Sequence, residues 1–261
     1  MKFIYFLVIA VLLIPCVKAD EEAFTSQQKE ALSKIIDDHL MKNPEVLASA
    51  LEQLQQKQMK EQMEKSKALV QKNSAQLFNN PDDYVAGTAN APVTLVVFMD
   101  PYCGHCRKFH EILDQATSGD SGIRELKVVF KDLPIFGEAS DRAVKAMLAA
   151  KLQGKYTDFQ KEMFKEDQPV TKEEITKVAA RLGLNQSRLL ADMESDKIKS
   201  IIAANRQLAE TLGVSGTPTV VIGELLIPGG MSLANLKELV SKELVSKGQK
   251  TQDNLASSKD G

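Results

Sequence analysis

The chain has 261 residues, a formal net charge of −2 and three cysteines. That length holds one medium domain plus something extra. So mild a charge, with no dense basic run, argues against a nucleic-acid partner.

The chain opens with "MKFIYFLVIAVLLIPCVKAD". Lys2 supplies a positive start, Phe3 to Ile14 form an apolar core, and Val17-Lys18-Ala19 ends in a small-x-small-like cleavage pattern. The core falls well short of the roughly 20 residues of a membrane-spanning helix. It therefore reads as a secretory signal cut after Ala19. Cys16 as a lipid acceptor is the rival, which would make a surface lipoprotein with a structural role. Pro15 stands where such sites want a small residue, and the mass of the mature N-terminus decides. Cleavage leaves two cysteines, Cys103 and Cys106. It also removes Lys2 and Lys18, taking the charge from −2 to −4. Export implies an oxidising compartment in which a cysteine pair can form a disulfide.

From Phe24 to Phe78 the pattern is helical. Asn43-Pro44 restarts a helix, since Asn favours the N-cap and Pro the first helical position. This second helix runs from Pro44 towards Phe78 and stops at Asn79-Asn80-Pro81. Val46, Leu47, Leu51 and Leu54 lie on one face, whereas the stretch "QQKQMKEQMEKSK" offers only Met59 and Met63 as large apolar side chains. Two readings stand: a solvated linker helix, or a stalk on which Leu47, Leu51 and Leu54 meet a second chain. His39 reads as a solvated face residue.

Val93–Met99 ("VTLVVFM") is a continuous run of the kind buried on both faces of a central strand. A helix from Cys103 to about Gln115 and a strand over Leu126–Phe130 complete a βαβ unit. Helices follow over Ala139–Gln153 and Tyr156–Phe164, then one opened by the capping box Thr171-x-x-Glu174, a short one near Ser187, and Asp196–Leu212. Thr219–Gly223 and Leu225–Ile227 form a hairpin. Ser232 caps a last helix to about Ser246, and the polar tail is expected to be disordered. The methionines read as gap fillers and interface residues.

Three readings compete for the cysteines of "PYCGHCRKFH". As a structural staple, a loop this short removes only roughly 2 kcal/mol of unfolded-state entropy. As a metal site, Cys103, Cys106 and His110 lack the second half of a zinc knuckle, though copper with two thiolates is conceivable. As a redox pair, Cys103 sits where unpaired N–H groups and the positive end of a helix dipole point at its sulfur and favour thiolate. His105 adds a donor or positive charge, and Gly104 leaves the approach open. Cys106, one turn deeper, is placed to attack a mixed disulfide on Cys103. C-x-x-C beside a βαβ pattern favours this third reading. Thr217-Pro218 stands before a buried strand, where proline marks an edge, a trans strand entry or a cis turn. His110 reads as packing or surface.

With "APVTLVVFMDPYCGHCRKFH", "VVFKDLPIFGEAS" and "GVSGTPTVVIG", the chain resembles the DsbA-like branch of the thioredoxin superfamily, the exported bacterial thiol–disulfide oxidoreductases. The resemblance spans nearly all of Pro81 to Lys247. It implies an α/β thioredoxin fold with an inserted helical domain, preceded by an all-helical oligomerisation segment. The expected layout is a signal peptide over 1–19, the oligomerisation segment over 20–80, the thioredoxin domain over 81–247 with its insertion at about 139–212, and a disordered tail over 248–261. The resemblance also implies that Cys103 is the exposed nucleophile and Cys106 the resolving thiol. It makes Pro218 cis against the disulfide, with the Thr217 backbone pairing with the substrate chain. No cofactor is implied beyond the redox-active disulfide Cys103–Cys106, and no metal.

Two features depart from the family. Many relatives keep a buried carboxylate six residues before the first cysteine, where this chain has Val97. Asp100 is expected to be too exposed to substitute, leaving water or Lys131 for proton transfer. Gly104-His105 is similar to the dipeptide of eukaryotic protein disulfide isomerases, whose potential of about −180 mV suits shuffling as well as oxidation. Similar family members use a helical N-terminal extension to dimerise or trimerise, so a homo-oligomer is expected, a dimer in the first instance. The implied partners are exported proteins with cysteines and a membrane redox protein that resets the pair; the implied place is the periplasm. The alternative in another class is a non-catalytic chaperone-like or copper-binding module, whose client holding would survive loss of the Cys103 thiol.

Overall fold

A computed structural model describes residues 24–119, 122–165 and 170–257, with the backbone alone over 249–257. The expected signal peptide and Cys16 lie outside the described residues. Packing divides the chain into two units, one up to Gln58 and one from Met59 onward.

The first unit is helical. Helix α1 (Ser26–Lys42) is opened by Thr25, whose hydroxyl accepts from the Gln28 N–H while the Gln28 side chain accepts from the Thr25 N–H. This capping box closes two otherwise unpaired donors. No α1 residue is buried. Helix α2 (Pro44–Lys72) begins at the predicted proline, and its early apolar residues Val46, Leu47, Leu51 and Leu54 are all exposed. The division between units falls inside α2, and its only buried residue is Val70, near its end. A short helix α3 (Ser74–Phe78) follows a break at Asn73, where the sequence pattern ran on as one helix. At the break the Asn73 side-chain amide donates to the Leu69 carbonyl at 2.8 Å, which also receives the Asn73 N–H at 3.1 Å.

The second unit is built on a five-stranded sheet ordered β1-β3-β2-β4-β5: β1 (Tyr84–Gly87), β2 (Val93–Met99), β3 (Leu126–Asp132), β4 (Thr219–Ile222) and β5 (Leu225–Pro228). β2 and β3 are parallel and joined through α4 (Gly104–Thr117); the other pairings are antiparallel. β1 has no counterpart in the sequence pattern. It is a four-residue edge strand, half-exposed, ending at Gly87, whose φ of 90° and close approach to the Leu126 carbonyl leave no room for a Cβ. Between β3 and β4 lie α5 (Glu138–Lys151), α6 (Tyr156–Lys165), α7 (Lys172–Arg181), α8 (Gln186–Met193) and α9 (Asp196–Leu212). The predicted capping box at Thr171 and Glu174 is in place at the start of α7.

Strand alternation sorts the core. One sheet face carries Val93, Leu95, Val97, Val128 and Val220 into a large core with α4 and most of the insertion. The other carries Val96, Phe98, Val129 and Val221 against Val70, Leu77 and the end of α9. The last helix, α10 (Leu233–Ser257), runs past the expected stop near Ser246, and residues 258–261 of the expected disordered tail lie outside the described residues. Gly248 costs a helix only about 1 kcal/mol and no proline follows to end it. Among the described residues no helix is long and apolar enough to cross a membrane.

Candidate active site

The parallel strands β2 and β3 both end at the edge where α4 begins, which is where an α/β sheet leaves a crevice. Cys103 is the N-cap of α4, in extended backbone conformation, with no hydrogen bond from its side chain to the helix start. Its thiol donates instead to the Thr217 carbonyl at 3.1 Å. The Thr217–Pro218 peptide bond is cis. Two segments more than a hundred residues apart in sequence thus meet at one sulfur.

The exposure expected of Cys103 is corrected: the residue is only 4% exposed, because its sulfur is tucked under the 217–218 turn. Gly104 beside it is exposed and borders open space, and His105 is exposed too. Cys106 is fully buried, and both thiols are free. Burial pushes the Cys106 thiol up, against the smaller opposing pull of the Asp100 backbone and the Thr217 side chain.

Asp100 overturns a second expectation. It is fully buried. Its Oδ1 accepts from the Tyr102 N–H and the Ser140 hydroxyl, both at 2.8 Å. Its Oδ2 accepts from the N–H groups of Ile135 at 2.7 Å and Phe136 at 3.3 Å. The Asp100 carbonyl also receives the Cys103 N–H at 3.1 Å. Four donors hold the Asp100 carboxylate in place. The only sequence sign of it was an acid at the end of an apolar strand.

Lys131 does not reach the cysteines. Strand alternation puts it with Val129 on the opposite sheet face, where its ammonium lies 2.6 Å from Asp83 Oδ2 and donates to the Gln76 carbonyl at 2.7 Å. Val97, at the position where relatives have a carboxylate, is completely buried. His110 packs inside, stacked on Phe164 with ring centroids 4.5 Å apart and Nε2 3.2 Å from Gln160 Oε1, while His39 is exposed. Among the described residues no three His, Cys, Asp or Glu side chains are grouped to hold a metal.

A dithiol at a helix start, set under a cis-proline turn at the end of a parallel strand pair, is an arrangement suited to thiol–disulfide exchange. The thioredoxin family model matches residues 79–242, and the model of the copper resistance protein ScsC N-terminal domain matches residues 28–61. The chain belongs to the thioredoxin family, in its DsbA-like branch, with an N-terminal helical extension. The thiol-disulfide exchange protein alpha-DsbA2 of Wolbachia pipientis is 28% identical with a TM-score of 0.64; the match covers 69% of this chain and 96% of that one. A thioredoxin-like oxidoreductase of Silicibacter pomeroyi DSS-3 is 32% identical with a TM-score of 0.60, over 64% of this chain and 95% of that one. A curated relative, the Na(+)/H(+) antiporter NhaA of Herminiimonas arsenicoxydans, is 25% identical over 66% of this chain. The chain spans only 27% of that antiporter's length.

Proposed function

We propose that this chain is an exported protein-disulfide oxidoreductase that oxidises or reshuffles disulfides in periplasmic client proteins through Cys103-Gly104-His105-Cys106. The observation that carries the reading is the Cys103 thiol at the start of α4, donating to the carbonyl of Thr217. A client strand laid along that backbone presents its sulfur where Cys103 is.

In the oxidising direction, a client thiolate attacks Cys103 Sγ of the Cys103–Cys106 disulfide. The S–S bond breaks and its electron pair leaves on Cys106, which takes up a proton. A second client thiolate then attacks the client sulfur of the mixed disulfide, forming the client's disulfide and releasing Cys103. In the shuffling direction, reduced Cys103 attacks a client disulfide and a displaced client thiolate chooses a new partner. Cys106 can end either mixed disulfide only as a thiolate, the form its burial disfavours.

Self-association through the exposed faces of α1 and α2, with a dimer in the first instance, would bring two such sites to one client. A membrane redox protein would reset the pair. In the deciding test, catalytic amounts of the chain are added to a substrate protein carrying scrambled disulfides. Activity should return, and the Cys103→Ala variant should restore none. Failure of the unaltered chain both to speed recovery and to oxidise a reduced substrate, or full recovery with Cys103→Ala, would sink the proposal.

A further inference from the structure

A chain of side-chain hydrogen bonds runs from the end of β3 to α4, and all of its members are buried. At its far end both oxygens of Asp132 accept from the Tyr156 hydroxyl. The Tyr156 oxygen accepts from Gln160 Nε2 at 3.3 Å, and Gln160 Oε1 lies 3.2 Å from His110 Nε2. Each link fixes the next. An ionised Asp132 can only accept, so the Tyr156 hydrogen points at it and the Tyr156 oxygen is left to accept. The Gln160 amide therefore turns its NH2 to Tyr156 and its oxygen to His110. The imidazole then carries its proton on Nε2, which leaves a basic lone pair on Nδ1.

His110 stands one turn after Cys106 on α4, and both are buried. Residues so spaced share a helix face with Cβ atoms roughly 5–6 Å apart, and a helical side chain leans over the turn before its own. For His110 that turn holds Cys106. Phe164, on which the His110 ring stacks, belongs to the same buried cluster as Cys106. We propose that His110 is the base that takes the Cys106 proton when Cys106 resolves a mixed disulfide on Cys103, and that Gln160, Tyr156 and Asp132 are positioning residues that keep Nδ1 free for it. The proposal rests on the thiol-exchange reading above. The proton passes from Cys106 Sγ to Nδ1, Cys106 Sγ attacks Cys103 Sγ, and the client sulfur leaves with the electron pair of the broken bond. The chain is oxidised to the Cys103–Cys106 disulfide and the client is reduced. In the oxidising direction the imidazolium returns the proton as Cys106 departs. Such a base is needed because burial pushes the Cys106 thiol up. Val97 has no acid to offer, Lys131 lies on the other sheet face, and the Asp100 carboxylate already receives four donors. Burial pushes His110 down, helped by Lys161 of α6 and opposed by Gln160 and by Asp114 and Glu111 of α4, so the ring is ready to accept.

The test mixes the reduced full chain, carrying Cys16→Ser to remove the third thiol, with excess dithiobis-nitrobenzoate. Cys103 attacks first and releases one coloured thionitrobenzoate. Cys106 then attacks the mixed disulfide and releases a second, a phase that Cys106→Ser lacks. From about pH 7.5 to about pH 9 this second phase should stay nearly level, because the base is already neutral. His110→Gln removes the basic nitrogen while keeping an N–H donor. There the second phase should be slower by about tenfold or more at the lower pH and climb about tenfold per pH unit, since hydroxide must make the thiolate. The first phase reports whether the site of each variant is intact. Ring-nitrogen NMR shifts at about pH 8, where Asp132 is ionised, should place the His110 proton on Nε2, and Tyr156→Phe should weaken that preference. A second phase in the unaltered chain that climbs tenfold per pH unit, an equal rate in His110→Gln, or a proton on Nδ1 would overturn the role of His110, and the first and last of these need no His110 variant. An unaltered chain with no second phase would overturn the thiol-exchange reading itself.

Discussion

Asp132 is buried where β3 ends, and both of its oxygens accept from a single hydroxyl, that of Tyr156, at 2.8 Å. Burial pushes its pKa up to about 7, against the smaller pull of the Tyr156 hydrogen bond. An unfolded aspartate titrates near 3.9. Between those values the native state binds more protons than the unfolded one, so stability falls as pH rises from about 4 to about 7 and is level above. Asp83, pushed up to about 6 by burial against the pull of Lys131, adds slope of the same sign that ends lower. Buried His110, linked to Tyr156 through Gln160, is pushed down and acts in the opposite sense. Comparing Asp132→Asn with the unaltered chain isolates the one carboxylate. Urea midpoints measured from pH 5 to pH 8 should show a smaller decline in the variant. The difference should grow up to about pH 7 and amount to a few kcal/mol at most, on the order set by the shift.

At the scale of elements, what the sequence conceals is which face of the sheet a residue serves. β2 and β4 are legible because a strand buried on both faces must be a continuous apolar run, and α7 because its capping box is a local code. β1 is not, since its four half-exposed residues owe their strand conformation to pairing with β3. Asp100 is hidden for a related reason: the four donors that bury it come from a nearby loop, from a turn 35 residues on and from α5. Cys103, Cys106 and Pro218 are legible one by one, but the tucking of the Cys103 sulfur under Thr217 is tertiary. The end of α2 and the whole of α3 show the same effect. They read as the tail of a solvated linker helix or of an oligomerisation stalk, yet Val70 and Leu77 are core residues of the sheet's second face. Leu77→Ala should therefore cost about 2–5 kcal/mol, as truncation in a packed core does. Leu54→Ala, at an exposed position, should stay within about 0.5 kcal/mol under conditions where the chain is monomeric. Denaturant titration of the two variants compares them directly.

At the scale of the whole molecule, the described residues of the unit up to Gln58 form no core of their own, with Leu32, Ile35, Ile36, Val46, Leu47, Leu51 and Leu54 all exposed. Apolar faces of that extent on helices call for a partner, and two copies meeting on them is the simplest cover. Light scattering at tens of micromolar should then show the full-length chain as an oligomer. Where the chain is cut becomes decisive. A chain beginning at Met59 keeps Val70 and Leu77 on the sheet, so it should fold, run as a monomer and retain thiol exchange with small disulfides. If the proposed assembly works by bringing two sites to one client, it should lose most of its capacity to rescue a scrambled substrate. A chain beginning at Pro81, the boundary the sequence pattern suggests, strips Val70 and Leu77 from the second face and leaves Phe98, Val129 and Val221 covered only in part, by the end of α9. It should be markedly less stable and prone to aggregate, for reasons unconnected with the oligomer. Only the cut at Met59 separates association from folding, and a monomeric Met59 chain that still reshuffled disulfides at the full rate would show that the helices serve some other end.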